Sequence, residues 1–386
     1  MFHEAFTYRF FKVLEKIDYG SIRITTPDQK LFEFTAPNPG IDVELTLLDW
    51  SAVAAFAFHA DIGLAETYRD GLWETDDLEK LLCFGLQNNA ALEKYINGNS
   101  LRHVISRIMY LFTQNTTRGS KKNIHAHYDL GNEFYRLWLD PTMSYSAALF
   151  HKDNETLPTA QLNKYDRIVA CLDEPKGPIL EIGCGWGGFA ERVAETTDTK
   201  VEGITISRAQ HKYATKRLGN NADIVLKDYR KQQGQYDHIV SIEMFEAVGE
   251  KFWQTYFGKL KSLLSANGKA VIQTITIDDA YFELYRKSGD MIRTFIFPGG
   301  MLPSPTRFEY EAKKAGFIVG PKFSFGRDYA RTMQIWQSSF ENNIEPVTDL
   351  GFDEKFIRLW RFYLASCIAL FHSQRTDVMQ IELVHA

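Results

Sequence analysis

The segment from residue 178 to residue 276 constrains the fold of this chain more than any other part of it. It opens with the apolar run Leu180-Glu181-Ile182, which leads directly into a glycine-rich turn at residues 183–188 and then into a helical pattern. Further apolar segments suited to strands follow, with helical stretches among them, at residues 200–207, 222–228, 236–245 and 269–276. Strands that alternate with helices form a parallel sheet joined by right-handed crossovers. The pattern therefore predicts an α/β domain.

Length and charge narrow the class of protein. The chain has 386 residues, with 44 Lys and Arg against 49 Asp and Glu and a formal net charge of −5. At roughly 100–200 residues per domain, this length predicts two or three domains with cores of their own. The composition, with 45% hydrophobic and 24% charged residues, excludes a disordered or fibrous chain. The mild acidity argues against a protein that binds nucleic acid by neutralising its phosphates. We therefore expect no nucleic-acid partner.

The cysteines and the N-terminal segment bear on the compartment. Cys83, Cys171, Cys184 and Cys367 lie far apart and lack the spacing of a zinc site, which fits a reducing compartment and no metal centre. Residues 1–18 mix charged with apolar side chains, so we expect no signal peptide and a cytoplasmic protein. The longest uncharged apolar run, near residues 52–58, is far shorter than the ~20 residues of a membrane span. Any membrane contact is therefore expected to be peripheral.

A change of pattern divides the chain near residue 113. Residues 1–112 predict a small mixed α/β domain: an aromatic helix with Phe2, Phe6, Phe10 and Leu14 four residues apart, a hairpin-like pair of strands at 21–26 and 31–36, and helices from about Trp50 onward. Residues 113–123 lose this periodicity and collect basic side chains, as an exposed linker does. Residues 124–386 then form the second domain, with a strong amphipathic helix at 354–374.

The glycine-rich turn predicts a cofactor site. Gly183 and Gly185 allow the backbone to approach a ligand closely, and Gly188 would complete a dinucleotide fingerprint. The next strand, however, ends in Thr205-Ile206-Ser207 rather than in the acid that binds the NAD ribose. Glu181, just before the turn, is placed to bind a positively charged amino group of a ligand. The pattern E-x-G-x-G-x-G after a strand resembles motif I of class I S-adenosylmethionine methyltransferases. The alternative is a purely structural glycine turn.

Two other strand ends carry polar residues that belong to the same predicted site. Asp228-Tyr229-Arg230 follows one strand and Glu246 follows another. Ligands of open α/β sheets bind outside the carboxyl ends of the strands. We therefore expect Glu246 at the reacting methyl group, the alternative being an acid that interacts with a helix dipole.

Eight motifs, in order, make the resemblance specific. They are HYDLGNEFY (127–135), LDPTMSYS (139–146), GCGWGG (183–188), GITIS-x-x-Q (203–210), DYR (228–230), MFEAVG (244–249), FIFPGGMLPS (295–304) and DYARTMQIW (328–336). Together they resemble the cyclopropane-fatty-acyl-phospholipid synthase family over about residues 125–372, and residues 61–78 resemble the N-terminal domain of its two-domain bacterial members. The resemblance implies a Rossmann-like class I methyltransferase sheet with a smaller mixed α/β N-terminal domain.

The resemblance also implies the site residues. Nine residues are expected from the resemblance to hold S-adenosylmethionine: Tyr145, Ser146, Gly183, Gly185, Thr205, Gln210, Asp228, Tyr229 and Arg230. Glu181 and Ser207, at the strand ends, are expected to bind it with them. Glu246, the backbone of Ile275, and Tyr329 match positions that in the family hold a bicarbonate ion, which acts as the base. Gln273 and Ala147 stand at two further positions of that anion site, and His127, in the first motif, is a further catalytic candidate.

The implied chemistry is methyl addition to a cis double bond of a phospholipid acyl chain. The alkene attacks the sulfonium methyl, a carbocation forms on the chain, and loss of a proton from the new methyl closes a cyclopropane ring. The faces of Tyr145, Tyr329 and Phe245 are candidates to stabilise the cation by cation–π attraction, unless these rings are ordinary core.

Two departures from the family pattern keep other products open. Ala147 replaces a cysteine and Gln273 replaces a histidine, and a glutamine gives no charge-assisted hold on bicarbonate. With a weakened base, the cation can lose a proton from the chain instead, which gives a methyl-branched or methylene fatty acid without a ring. A non-catalytic lipid-binding paralogue is the further alternative.

The acyl double bond lies deep in the bilayer, so the protein needs a surface that docks on the inner face of the membrane. There are three candidates: the N-terminal aromatic helix, the basic linker at 118–122 and the segment 295–302. We expect the N-terminal domain as a whole to have an accessory lipid-docking role. For the N-terminal helix the alternative is packing on the catalytic domain. The resemblance further suggests a homodimer, whose two surfaces would add avidity.

Overall fold

The computed structural model describes residues 2–96, 130–173, 175 and 177–386, with the backbone alone at 2–6 and 93–96. The chain divides into two compact units. The first comprises residues 1–112, 287–296 and 341–375, and the second comprises residues 113–286, 297–340 and 376–386. Thus two segments that we assigned to the catalytic domain group with the N-terminal region. The predicted linker at 113–123 lies outside the described residues.

Helices and strands alternate through most of the described sequence. The helices are α1 (Phe2–Leu14), α2 (Ser51–Arg69), α3 (Leu78–Gln87), α4 (Asn89–Ile96), α5 (Asn132–Arg136), α6 (Leu157–Cys171), α7 (Gly188–Thr196), α8 (Arg208–Leu218), α9 (Trp253–Leu263), α10 (Asp279–Tyr285), α11 (Pro305–Lys314), α12 (Gly326–Glu341), α13 (Ile344–Asp349) and α14 (Glu354–His372). The strands are β1 (Tyr19–Thr25), β2 (Leu31–Thr35), β3 (Asn38–Leu47), β4 (Trp73–Glu74), β5 (Ile179–Ile182), β6 (Val201–Thr205), β7 (Ala222–Leu226), β8 (Tyr236–Ile242), β9 (Leu264–Ile277), β10 (Phe317–Ser324) and β11 (Thr376–His385).

The first unit is a small α/β structure built on a four-stranded sheet of order β2-β1-β3-β4. The predicted hairpin is confirmed, since β1 and β2 pair antiparallel. Phe10 and Leu14 of α1 are buried inside this unit, and the Phe10 ring lies 6.0 Å from that of Phe56 on α2. Phe11 likewise lies 4.7 Å from Phe32 of β2. These side chains of α1 therefore pack within the first unit, whereas the alternative that we weighed against membrane docking was packing on the catalytic domain.

The C-terminal amphipathic helix is confirmed as α14, and it belongs to the core of the first unit. Trp360, Phe362 and Leu364 are buried, and Phe362 lies against Tyr68 and Trp73. Arg358 places its guanidinium 4.2 Å from the centre of the Tyr68 ring. Within the part of the chain that the structure describes, no helix is both long and apolar enough to cross a membrane.

The second unit is a seven-stranded sheet of order β10-β11-β9-β8-β5-β6-β7. The strands predicted from the sequence, β5 to β9, pair in parallel as expected. The sequence analysis missed β10 and β11, which complete the sheet in antiparallel pairing. Most residues of β11 are buried, so its sequence lacks the apolar and polar alternation of a half-exposed strand.

Buried apolar clusters cover both faces of this sheet. One contains Ile168, Phe189, Val193 and Val240, and the other contains Ile239, Tyr256, Phe257 and Ile272. Phe245 belongs to the second cluster, is fully buried, and packs 5.5 Å from Trp253 and 5.0 Å from Tyr256. Our expectation that Phe245 would face a cation is therefore wrong, because its ring fills the core behind β8.

Candidate active site

A cavity lies at the carboxyl ends of β5, β6, β7 and β8, where the topology of an open α/β sheet places ligands. The segment from Met143 to Ser146 also lines it. Nearly all the residues predicted to bind the cofactor meet here, namely Tyr145, Ser146, Glu181, Gly183, Gly185, Thr205, Gln210, Asp228, Tyr229 and Arg230. Ser207 is not among the lining residues; its hydroxyl caps α8 by accepting from the backbone N–H of Gln210 at 3.3 Å.

The glycine turn is left-handed, as a close approach between backbone and ligand requires. Gly183 and Gly185 have φ of +85° and +52°, a region that side chains disfavour. A Cβ at Gly183 would lie 2.8 Å from Cγ of Met244. Nearby, the indole of Trp186 donates to the Asn132 side chain at 2.8 Å, which anchors the turn to α5. The turn thus leaves a backbone cradle that only glycine permits.

Replacement of Gly183 by alanine is expected to weaken binding of S-adenosylhomocysteine at least about tenfold, because a strained φ and a clash of this kind cost on the order of 1–3 kcal/mol. Isothermal titration calorimetry measures the loss. Gly258→Ala is the matched control, since Gly258 lies in α9 with open space at its Cβ position. Equal affinities of the two variants would contradict the role of the cradle.

Glu181 and Lys164 form a buried pair of titratable groups beside the cavity. Glu181 is 3% exposed, and its Oε2 is buried without a hydrogen-bond partner among the described residues. Burial raises the pKa of Glu181 to about 8, although the charge of Lys164 opposes the shift. Lys164 is fully buried, donates to Gln161 at 2.6 Å, and has its pKa lowered by burial to about 8. The sequence analysis missed Lys164, although its spacing with Ala160 and Ile168 placed it on the buried face of α6.

Polar contacts hold the other predicted cofactor residues in position. Asp228 forms an ion pair with Arg230, with 2.6 Å between Oδ2 and Nη2. The Thr205 hydroxyl donates to Oε1 of Gln210 at 2.9 Å. All four residues line the cavity and are therefore available to a ligand.

The carboxylate of Glu243 occupies the centre of the predicted anion site. Its Oε1 accepts hydrogen bonds from the Ser146 hydroxyl at 2.7 Å, the Ala147 backbone N–H at 2.9 Å and Nε2 of Gln273 at 2.7 Å. Its Oε2 accepts from the Tyr329 hydroxyl at 2.6 Å. Glu243 also lines the cofactor cavity and has a left-handed φ of +49°, which is uncommon for a residue with a side chain. The sequence analysis missed this residue, although an acid at the end of β8 was visible.

Gln273 is held in the orientation that this contact needs. The amide of Gln380, on β11, donates to Oε1 of Gln273 at 2.9 Å, so that Nε2 of Gln273 faces Glu243. The backbone N–H of Glu243 in turn donates to the carbonyl of Gln273 at 2.8 Å. The glutamine at the position of the family's histidine is thus matched to a carboxylate from its own chain.

Glu246 lies next to this cluster rather than at its centre. Its Oε1 accepts from the Thr274 hydroxyl at 3.0 Å and from the backbone N–H of Ile275 at 2.5 Å. Its Oε2 is buried without a partner among the described residues. Burial, and then the negative charge of Glu243, raise the pKa of Glu246 to about 8. The predicted residues Glu246 and Ile275 therefore contact each other, whereas Ala147, Gln273 and Tyr329 contact Glu243. His127 lies outside the described residues.

An aromatic cluster surrounds the acids. The Trp336 ring lies 5.4 Å from Tyr145, 5.6 Å from Trp138 and 6.1 Å from Tyr329. Tyr145 lines the cavity, and Tyr329 donates to Glu243. Two of the three aromatic candidates, Tyr145 and Tyr329, therefore belong to the same site as Glu243.

Comparisons with known proteins agree with this geometry. The family described as mycolic acid cyclopropane synthetase matches residues 115–381. The cyclopropane-fatty-acyl-phospholipid synthase of Escherichia coli is 34% identical over 326 residues, covering 83% of this chain and 82% of that protein. The tuberculostearic acid methyltransferase of Mycobacterium tuberculosis is 33% identical over 341 residues, covering 84% and 79%. A solved mycolic acid cyclopropane synthase, complexed with SAH and CTAB, has a TM-score of 0.64 at 32% identity, covering 68% of this chain and 97% of that one. These similarities confirm the predicted α/β class I methyltransferase fold.

Proposed function

Because the chain belongs to the mycolic acid cyclopropane synthetase family of S-adenosylmethionine-dependent methyltransferases, we propose that it transfers a methyl group to the cis double bond of an unsaturated phospholipid acyl chain. One observation carries the proposal: at one edge of the sheet, a glycine-rich cofactor turn meets a hydrogen-bonded carboxylate and an aromatic cluster. A cation formed on a hydrocarbon chain needs such a combination of base and aromatic faces.

The residues of the cavity fit S-adenosylmethionine, which supplies an electrophilic methyl group when bound. The partnerless Oε2 of Glu181 suits the ammonium group of the amino-acid moiety, and the backbone at Gly183 and Gly185 leaves room for close approach. Asp228 and Tyr229, at the end of β7, are assigned to the adenosine part, as the resemblance implies.

The aromatic cluster and the acids determine the fate of the acyl chain after methyl transfer. Tyr145 and Tyr329 favour a cation on the acyl chain through their ring faces and keep water out. Removal of a proton from the new methyl group closes a cyclopropane ring, which is the expected product. Removal from a neighbouring chain carbon gives an open-chain, methyl-branched product with a double bond in the chain. A hydride shift along the chain followed by loss of a methyl proton gives a methylene product. These open-chain products are a second candidate, supported by the changed anion site at Ala147 and Gln273.

The donors expected for bicarbonate do not fit a separate ion. Ala147, Gln273 and Tyr329 direct their hydrogen bonds to the Glu243 carboxylate, and the Ile275 N–H donates to Glu246. A bicarbonate ion would have to displace the Glu243 or Glu246 carboxylate from these donors. It would then lie next to the negative charge of the displaced carboxylate, which repels it. No step of the proposed reaction therefore uses bicarbonate.

Because the proposed substrate lies in a membrane, we assign the protein to the inner membrane face as a peripheral protein. The cytoplasmic location is proposed from the N-terminal sequence and the scattered cysteines, and the homodimer from the family resemblance. Residues 297–302, the part of the predicted docking segment that belongs to the second unit, support the membrane assignment, because the Phe297 ring lies 6.4 Å from that of Tyr145. An apolar loop next to the active site suits entry of an acyl chain. The N-terminal unit is assigned an accessory role in docking.

Expression in a host that lacks modified fatty acids tests the function. We expect phospholipid acyl chains heavier by one methylene, detected by gas chromatography–mass spectrometry, and hydrogenation reveals any double bond that survives. Glu309→Gln, at a partly exposed position of α11 that does not line the cavity, serves as a control that should give the same product. Unchanged acyl chains would favour the non-catalytic lipid-binding paralogue.

A further inference from the structure

The site contains an acid at the position where an external base was expected. Four donors converge on the Glu243 carboxylate from three separate parts of the chain: Ser146 and Ala147 before α6, Gln273 on β9, and Tyr329 on α12. The Ala147 backbone N–H and the NH2 group of Gln273 that faces Glu243 can only donate. Such a donor set matches an ionised carboxylate.

The surroundings of the two acids distinguish their roles. Glu243 lines the cofactor cavity, whereas Glu246 is not among the lining residues. Glu246 has one oxygen bound to Thr274 and Ile275 and the other buried. With a pKa raised to about 8, Glu246 is largely protonated at neutral pH and cannot readily accept another proton. Lys164, the buried cation of this region, exerts its strongest charge interaction with Glu243.

We propose that the Glu243 carboxylate is the catalytic base of this protein, and that it replaces bicarbonate in the deprotonation step. The inference rests on the proposed methyl transfer, and it specifies which atoms accept the proton. It also explains why a glutamine and an alanine are tolerated at the former anion positions: they now bind a carboxylate from the chain.

The step balances without a further reactant. The alkene electron pair forms a bond to the methyl carbon while the carbon–sulfur bond breaks and leaves its pair on sulfur, so that a carbocation remains on the acyl chain. Glu243 then removes a proton from the new methyl group, and the released C–H pair forms the last ring bond. If the proton comes from a neighbouring chain carbon instead, the same pair forms a double bond. In both cases Glu243 becomes a neutral acid and returns its proton to solvent.

The first test measures methyl transfer to unsaturated phospholipid vesicles in buffer freed of carbon dioxide, with and without added bicarbonate. We expect the full-length protein to work equally well in both. Glu243→Gln is expected to lose about 10²–10⁴-fold in rate, as removal of a general base does, while it still binds S-adenosylhomocysteine. Glu243→Ala, with its side chain removed, should regain part of the rate with formate or bicarbonate. Glu309→Gln should keep the full rate.

The second test does not depend on turnover. Carbon-13 NMR with labelled bicarbonate should detect no bound ion in the unmodified protein and one bound ion in Glu243→Ala, with circular dichroism confirming that both are folded. A rate of the unmodified protein that falls when carbon dioxide is removed, full activity of Glu243→Gln, or bicarbonate bound by the unmodified protein would overturn the proposal. If no vesicle is methylated, the proposed function fails, and the NMR result still decides whether Glu243 occupies the anion site.

Discussion

The affinity of this protein for S-adenosylhomocysteine is expected to rise about 50-fold between about pH 6 and pH 8, because we propose that the ligand's ammonium group pairs with Glu181. In the free protein, burial raises the pKa of Glu181 to about 8, so the carboxyl is protonated below that pH. Binding favours the ionised form and releases a proton, and the association constant then rises about tenfold per pH unit until the free carboxyl itself ionises. The charged or titratable groups that interact with Glu181 are Lys164, Tyr165 and Cys184.

Calorimetry over this pH range, in two buffers with different ionisation enthalpies, measures both the affinity and the number of protons released. Glu181→Gln is the matched variant, since its amide cannot ionise. Its affinity should remain flat across the range and lie near that of the unmodified protein at pH 6. A flat profile for the unmodified protein, or an identical slope in Glu181→Gln, would remove Glu181 from the ammonium contact.

Trp336→Ala is expected to lower the free energy of unfolding by about 3–5 kcal/mol, the range typical of a large aromatic side chain removed from a core. Trp336 is fully buried, and its ring packs against Trp138, Tyr145 and Tyr329. Because Tyr329 carries the hydrogen bond to Glu243, the same change should also lower the rate of methyl transfer.

Urea denaturation followed by circular dichroism measures this loss. Tyr310→Ala is the control, because Tyr310 is 56% exposed and its replacement should change the unfolding free energy by about 0.5 kcal/mol or less. Trp336→Phe, which keeps an aromatic ring, should fall between the two. A Trp336→Ala protein as stable as Tyr310→Ala would show that this cluster is not a structural support of the site.

The strands and the cofactor turn were predictable because their signals are local. The run from Leu180 to Gly188 contains the strand, the turn and the helix start within one short segment, and β5 to β9 repeat the alternation. β10 and β11 were missed because their antiparallel pairings, β10 with β11 and β11 with β9, join segments that lie far apart along the chain. For the same reason the first unit could not be defined from the sequence, since it gathers three segments that lie far apart along the chain.

The two acids after β8 are a case in which the sequence pattern did not predict which residue occupies the centre of the site. Glu243 and Glu246 stand three residues apart, and the sequence pointed to Glu246 through the family motif. Which carboxylate meets the donors depends on the left-handed backbone at Glu243 and on side chains from β9 and α12. These are tertiary features, so the sequence could predict an anion site and its donors but not the carboxylate that they bind.

The most direct test of methyl transfer to an acyl chain uses S-adenosylmethionine with a fully deuterated methyl group. The purified protein is incubated with unsaturated phospholipid vesicles, and the acyl chains are analysed by mass spectrometry. We predict deuterium in the acyl chain: two of the three deuterons remain if the proton removed comes from the methyl group and the ring closes, and all three remain if it comes from the chain. Acyl chains without deuterium, after incubation with a protein shown to bind the cofactor, would contradict the proposed function.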